Sequence, residues 1–357
     1  MPFRAPKSRV APAEGGHCRC EQEQRASSVP GEKVTKRTTV VVLSDPLEPH
    51  MAMLGELAGT AEVAVGSSAG SLAGPAARAE VLFNWSGTLS AVRELFLMCP
   101  RLRWIHSRSV GLERTLFPEL VSSDVTLTNG RGVFSPSLGE FALAAILYFA
   151  KDLRRMIRSQ ESGAWEPFDV TLVSGQTAGI VGYGDIGRAV AQRARAMGMH
   201  VLALRRHPPA ENEPDPLVAQ VYPSSRRAEM IARSDYLIVA APLNQETRGL
   251  LGEAELSAMK ETAVLINLGR GPVIEEAALI RALAERRIKG AALDVFDEEP
   301  LPPGHPFYKM DNVLLSPHCA DHTPDWLNDA MRLFLAQFAR SQSGEPLLHV
   351  VNKKLGY

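Results

Sequence analysis

The chain has little of what would mark it as secreted, membrane-spanning or nucleic-acid binding. It holds four cysteines in 357 residues, Cys18, Cys20, Cys99 and Cys319. Their spacing makes neither a disulfide framework nor a paired CxxC zinc site, so reduced thiols are expected. The HCRC stretch around Cys18 has too few ligands nearby for a metal and reads as an unremarkable tail. A formal net charge of −1 gives no global field toward nucleic acid or an anionic membrane, and neither partner is expected. The longest apolar run, FALAAILYFA from Phe141, is about half of what a spanning helix needs. Lys151 and Asp152 close it, so it reads as a buried helix. No repeat of short fixed period is present.

Residues 1–37 lack an acid before Glu14 and show no apolar periodicity. An organellar transit peptide and a disordered extension both fit them. The compartment is accordingly cytoplasmic, or chloroplast or mitochondrion if the segment is a transit peptide.

From Thr38 short β-branched runs alternate with helix-length segments. TTVVVL, AEVAV, EVLFN, LRWIHS and DVTLT form one series of strands; TAGIVG, MHVLAL, DYLIVAA, TAVLINL, KGAALDV and NVLLS form another, nearly wholly apolar. Such alternation predicts an α/β protein with doubly wound parallel sheets. Between the series a single helix is expected from Pro136 to Gln160, opened by Ser137 and Glu140 at capping-box spacing. A closing helix is expected over His322 to Ala339.

GIVGYGDIGRAV supplies Gly182, Gly184 and Gly187 between an apolar strand and a helix, the context in which GxGxxG binds a dinucleotide. Gly182 permits the turn, Gly184 lets the backbone approach a pyrophosphate, and Gly187 lets helix pack on strand. The amides of Asp185 and Ile186 point at the phosphates. The next strand, about 20 residues on, normally ends in an acid for the ribose of NAD; here it ends in Arg205 and Arg206. A guanidinium pairs with a 2′-phosphate where an acid repels it, so NADP(H) is expected over NAD(H), with NAD(H) still usable. The alternative is that these arginines only solvate the strand end.

Three further stretches bear on chemistry. INLGRGPVIEE carries Arg270, DVFDEEP carries Glu299, and LLSPHCADH carries His318, each beyond a strand of the second series. With GIVGYGDIGR and DYLIVAAPLNQETRGLL in the same order, the chain from about Leu43 to Phe338 resembles the D-2-hydroxyacid dehydrogenase family. That resemblance implies a Rossmann NAD(P)-binding domain inserted into a flavodoxin-like substrate domain. The expected division is 1–37 as the extension, 38–133 as the first part of the substrate domain, 134–318 as the dinucleotide domain and 319–357 as the return.

The resemblance also implies Arg270, Glu299 and His318 as the catalytic Arg, Glu and His. It implies cofactor contacts at Pro242, Thr247 and Asp294, the last near the nicotinamide amide. The residue types suit reduction of a 2-oxo acid. His318 exchanges a proton near neutral pH, Glu299 stabilises the charged ring and orients it, and Arg270 holds the carboxylate and polarises the carbonyl. Glutamate at 299 argues for hydroxy-acid rather than formate chemistry.

In WIHSRSVGLER the amides of Ser109, Val110 and Gly111 are candidates for the substrate carboxylate. Arg108, Ser109 and Glu113 depart from the family's pattern there, and Arg108 either reaches the substrate or faces solvent. Trp85 is a pocket wall or a core residue; Cys319 reads as a small packed residue. Glyoxylate and hydroxypyruvate are the expected substrates, because a doubly charged acid would want added cations that the sequence does not place. A homodimer is expected, through the second domain and its long helix. A rival reading is a dinucleotide-sensing protein resembling the C-terminal-binding-protein corepressors.

Overall fold

A computed structural model describes residues 37–206 and 215–357; the calls on residues 1–36 and on Cys18 and Cys20 lie outside it. Two parallel sheets account for the two series of strands. The first contains β1 (Thr38–Leu43), β2 (Ala61–Gly66), β3 (Val81–Asn84), β4 (Trp104–Ser107) and β5 (Thr126–Thr128) in the order β2-β1-β3-β4-β5. This is the flavodoxin-like order. The second contains β6 (Thr177–Val181), β7 (His200–Leu204), β8 (Gln220–Tyr222), β9 (Tyr236–Val239), β10 (Val264–Asn267), β11 (Gly290–Leu293) and β12 (Val313–Leu315). Its order is β12-β11-β10-β9-β6-β7-β8, a Rossmann order that reverses between β6 and β9.

The central strands are buried along their length, which is why they read as unbroken apolar runs. The closing helix Trp326–Ser343 returns to the first sheet, where Phe334 stacks on Phe83 at 4.0 Å between centroids and packs with Trp104 and Phe338. Burying four such rings is a large apolar contribution on one face of a small sheet. The chain therefore forms two doubly wound halves, with the Rossmann sheet inserted into the flavodoxin-like one.

Three sequence expectations change. The helix expected over Pro136–Gln160 is two, Ser135–Ala150 and Leu153–Ser162, because Asp152 adopts a left-handed φ of 49° between them. The capping box does not form. Ser137 lies inside the first turn and donates to Ala320 O at 2.7 Å, while Glu140 pairs with Arg193. The closing helix starts at Trp326 rather than His322.

Candidate active site

The chemistry-bearing residues sit at the carboxyl ends of the second sheet's strands. At the end of β10, Asn267 is buried and uses both ends of its amide. Its Oδ1 accepts from Gly269 N at 3.1 Å and its Nδ2 donates to Arg270 O at 3.2 Å. The turn allows no side chain: a Cβ on Gly269 would lie 2.6 Å from Ala241 O, and one on Gly271 2.0 Å from Phe296 C. Arg270 is thus aimed by its backbone. Its Nε donates to Glu113 Oε1 at 2.9 Å and its Nη1 to Gly269 O at 2.8 Å. Its Nη2 has no hydrogen bond among the described residues and stands where a Cβ on Gly111 would come within 1.9 Å. Burial pushes the Glu113 carboxyl up, but Arg270's charge and hydrogen bond more than offset this, so it is held below its usual range.

Glu299 and His318 form the second group. Glu299 Oε1 accepts from Phe296 N at 2.9 Å, and its Oε2 meets His318 Nδ1 at 2.6 Å. The carboxylate so fixes one ring nitrogen and leaves Nε2 without a partner among the described residues. His318 itself has a left-handed φ of 52°, which costs about 1–2 kcal/mol and must be imposed by its surroundings. Asp294, buried at the end of β11, does so. Its Oδ1 accepts from Ser316 Oγ at 2.6 Å, Cys319 N at 3.0 Å and Ala320 N at 3.1 Å. Burial raises the Asp294 pKa despite these donors. The sequence marked Asp294 for the cofactor and missed this anchoring role; an acid set directly after the apolar strand β11 was the only local signal.

The GxGxxG turn has the contacts its mechanism needs. Gly182 has φ +92°, and a Cβ there would lie 2.6 Å from the Ala241 backbone. Gly187 meets Gly182 O, where a Cβ would come within 2.5 Å, and packs the helix Asp185–Ala196 on β6. A Cβ on Gly184 would meet nothing within 4 Å, so its backbone borders open space at the helix N-terminus. Asp185, with Ile186 after it, opens that helix and approaches Arg131 Nε at 3.6 Å. Beyond β9, Thr247 Oγ1 donates to Pro242 O at 2.6 Å, and Asn244 Oδ1 accepts from Thr247 N at 3.0 Å, so that loop is internally tied.

At the end of β7 the two arginines differ. Arg206 is bonded to Glu246, whereas the Arg205 side chain makes no hydrogen bond or ion pair among the described residues and its guanidinium lies 6.0 Å from the Tyr183 ring centroid. Tyr183 in turn donates to Asp215 at 3.1 Å.

The loop expected to hold the substrate carboxylate follows β4. Ser109, Val110 and Gly111 run past Arg270, with Asn129 Nδ2 donating to Val110 O at 2.9 Å. Trp85, 3% exposed, is a core residue: it packs edge-on to Phe83 and carries the Arg108 guanidinium 4.7 Å from its centroid. Cys319 is exposed rather than packed, since its amide, not its thiol, is what Asp294 holds. No group of three or more potential metal ligands occurs among the described residues, and no helix there is long and apolar enough to cross a membrane.

Fold and site together define a dinucleotide-dependent oxidoreductase of two α/β domains. Residues 143–320 match the model of the D-isomer specific 2-hydroxyacid dehydrogenase NAD-binding domain. A glyoxylate reductase of Korarchaeum cryptofilum is 33% identical over 73% of this chain and 80% of its own. A D-isomer specific 2-hydroxyacid dehydrogenase of Xanthobacter autotrophicus, solved with NADPH, superposes with a TM-score of 0.75 at 28% identity over 90% of this chain and all of that one. An NADPH-dependent glyoxylate/hydroxypyruvate reductase of Sinorhizobium meliloti, solved with NADP, gives 0.73 at 26% over 90% and 100%. The chain belongs to the D-isomer specific 2-hydroxyacid dehydrogenase family. It uses a nicotinamide dinucleotide and acts on the CH–OH of a small 2-hydroxy acid.

Proposed function

We propose that the chain is an NADP(H)-preferring reductase of small 2-oxo acids, glyoxylate and hydroxypyruvate among them, with Arg270, Glu299 and His318 as its catalytic residues. The observation that carries this reading is the pairing of His318 Nδ1 with Glu299 at 2.6 Å beside an Arg270 whose Nη2 is free. Gly182, Gly184 and Gly187 with Pro242, Thr247 and Asp294 would hold the dinucleotide, which would supply the hydride that reduces the 2-oxo acid at C2. Arg270 Nη2 and the amides of Ser109, Val110 and Gly111 hold the carboxylate. His318 Nε2 gives a proton to the carbonyl oxygen, and Glu299 keeps the ring turned for that transfer. Arg205, whose side chain has no partner among the described residues, takes the 2′-phosphate; Arg206 is already held by Glu246.

The proposed division gives 38–133 and 319–357 to the substrate domain and 134–318 to the dinucleotide domain. The homodimer is assigned to the helix Leu153–Ser162 and the segment after it. There Ile157 is 52%, Trp165 95% and Leu172 75% exposed, an apolar stretch that a second copy would cover. Light scattering on the purified protein reads the dimer.

The test of the function is initial rates of NADPH and NADH oxidation with glyoxylate, hydroxypyruvate, pyruvate and phenylpyruvate. Faster turnover with NADPH on a small acid supports the reading. Binding of dinucleotide without turnover of any acid would favour the sensing protein instead.

A further inference from the structure

Arg108 lies at the carboxyl end of β4, immediately before the loop that faces Arg270. Its guanidinium is held between two indoles, 4.7 Å from the Trp85 centroid and 5.2 Å from that of Trp326. Trp326 opens the helix that follows the His318 loop, and His322 of that loop stacks on it at 4.8 Å and 2°. Arg108 therefore stands between the substrate loop and the loop of the proton-transfer histidine.

No carboxylate among the described residues pairs with it. Among the described residues its side chain makes no hydrogen bond and no ion pair, and its Nε is buried with nothing to donate to. Glu48 is close enough to favour its charge, but that carboxylate is bonded to His50 Nδ1 at 2.6 Å. Burial lowers the Arg108 pKa, Glu48 raises it and Arg114 lowers it again, as expected of a cation removed from water without a counter-charge. Two other half-buried arginines at these edges and their helices are paired, Arg270 with Glu113 and Arg193 with Glu140. Cation–π contacts with two indoles fix the guanidinium plane but leave its donors unsatisfied.

We propose that Arg108 is a specificity-determining residue that receives a second anionic group, a carboxylate or a phosphate, at the far end of the 2-oxo acid. This inference rests on the reductase reading above and names the substrate class within it. Arg270 holds the carboxylate at C1, and Arg108 meets an anion on the substrate's side chain with a planar fork that the two indoles orient in advance. A monoanionic acid leaves that fork empty.

The test compares kcat/KM for matched pairs with NADPH: oxaloacetate against 2-oxobutyrate, 2-oxoglutarate against 2-oxopentanoate, and phosphohydroxypyruvate against hydroxypyruvate. The expected result is a preference of about tenfold or more for the charged member of at least one pair, the size of one charge-assisted hydrogen bond. The first two pairs read a carboxylate and the third a phosphate. Arg108→Met keeps the stem packed between the indoles and is expected to bring the ratio close to one; Arg108→Lys keeps the charge without the fork and is expected to retain part of it. If the Met variant does not fold, the drop in ratio on Arg108→Lys carries the test. A wild-type ratio near one in every pair, a ratio that Arg108→Met does not lower, or a preference for phenylpyruvate would overturn the inference while the reductase reading stands. Turnover of no acid with either dinucleotide would instead remove the reductase reading, and this inference with it.

Discussion

The carboxyl edges of the two sheets hold their polar side chains in different ways. On the seven-stranded sheet, polar groups hold polar groups: Glu299 orients His318, Asn267 shapes the Arg270 turn, and Asp294 fixes the loop from Ser316 to Ala320. On the five-stranded sheet aromatic rings hold them: Arg108 rests on Trp85 and Trp326, and His106 lies among Phe83, Trp104 and Phe334. Two ion pairs among the described residues, Arg270 with Glu113 and Arg131 with Asp185, join the two edges. Proton transfer needs a fixed direction, and hydrogen bonds supply direction. Selection among substrates needs shape and an available charge, and ring packing supplies those without consuming the donors. The first edge should therefore govern rate, and the second should govern which acid is used and the stability of its own half.

The sharpest way to break this division is at His318. His318→Ala removes the proposed proton donor and is expected to lower kcat by about 10²–10⁴-fold while leaving dinucleotide binding intact, read by nucleotide fluorescence titration beside steady-state rates. Normal turnover in the variant would remove chemistry from the seven-stranded edge.

Arg205 comes next in size. Arg205→Asp is expected to shift the ratio of kcat/KM for NADPH to that for NADH by about 10–100-fold toward NADH, the loss of one charge-assisted contact and the gain of one repulsion. An unchanged ratio would mean that Arg205 only solvates the end of β7.

Gly111→Ala probes the join between the edges. Its methyl would fall 1.9 Å from Arg270 Nη2, the far end of a flexible side chain, so the fold survives and the guanidinium moves. The expected outcome is a KM for the acid raised about tenfold with the melting temperature little changed, since a displacement of about 1 Å at an anchor costs binding rather than stability. A lowered melting temperature with unchanged KM would place Gly111 in the structure rather than the site.

What the sequence revealed divides along the same line. The Rossmann strands were legible as apolar runs because both faces are buried, and the GxGxxG turn because backbone crowding at Gly182 and Gly187 admits no side chain. β8 was missed, since Gln220–Tyr222 is a three-residue edge strand with no apolar period. The break at Asp152 was missed because one left-handed residue leaves the helical spacing on either side nearly intact. Arg270, Glu299 and His318 could be picked from ordered motifs. What could not be read was who holds whom: that the departure to glutamate at 113 places a carboxylate on Arg270, or that Arg108 finds two indoles far apart in sequence. Motifs record backbone constraints, whereas partners drawn from separate loops leave no local pattern.

His106 supplies the smallest effect and separates stability from catalysis. It is wholly buried, shares the Thr128 hydroxyl at 2.7 Å, and leaves its Nε2 unpartnered. Burial, reinforced by His349, pushes its pKa down to about 3 from 6.5. Below pH 6.5 the unfolded chain takes up a proton that the folded one refuses, so the stability His106 contributes is present above that value and is lost as pH falls toward 3. The slope is at most about 1.4 kcal/mol per pH unit. Denaturant midpoints measured between pH 7.5 and 5 should fall for the wild type, and should fall less for His106→Gln, which cannot titrate. The pH–rate profile should not move, because His106 is held by rings at the five-stranded edge and touches none of the groups around His318. A shifted rate profile in that variant would join the two edges electrostatically, and the division between them would have to be abandoned.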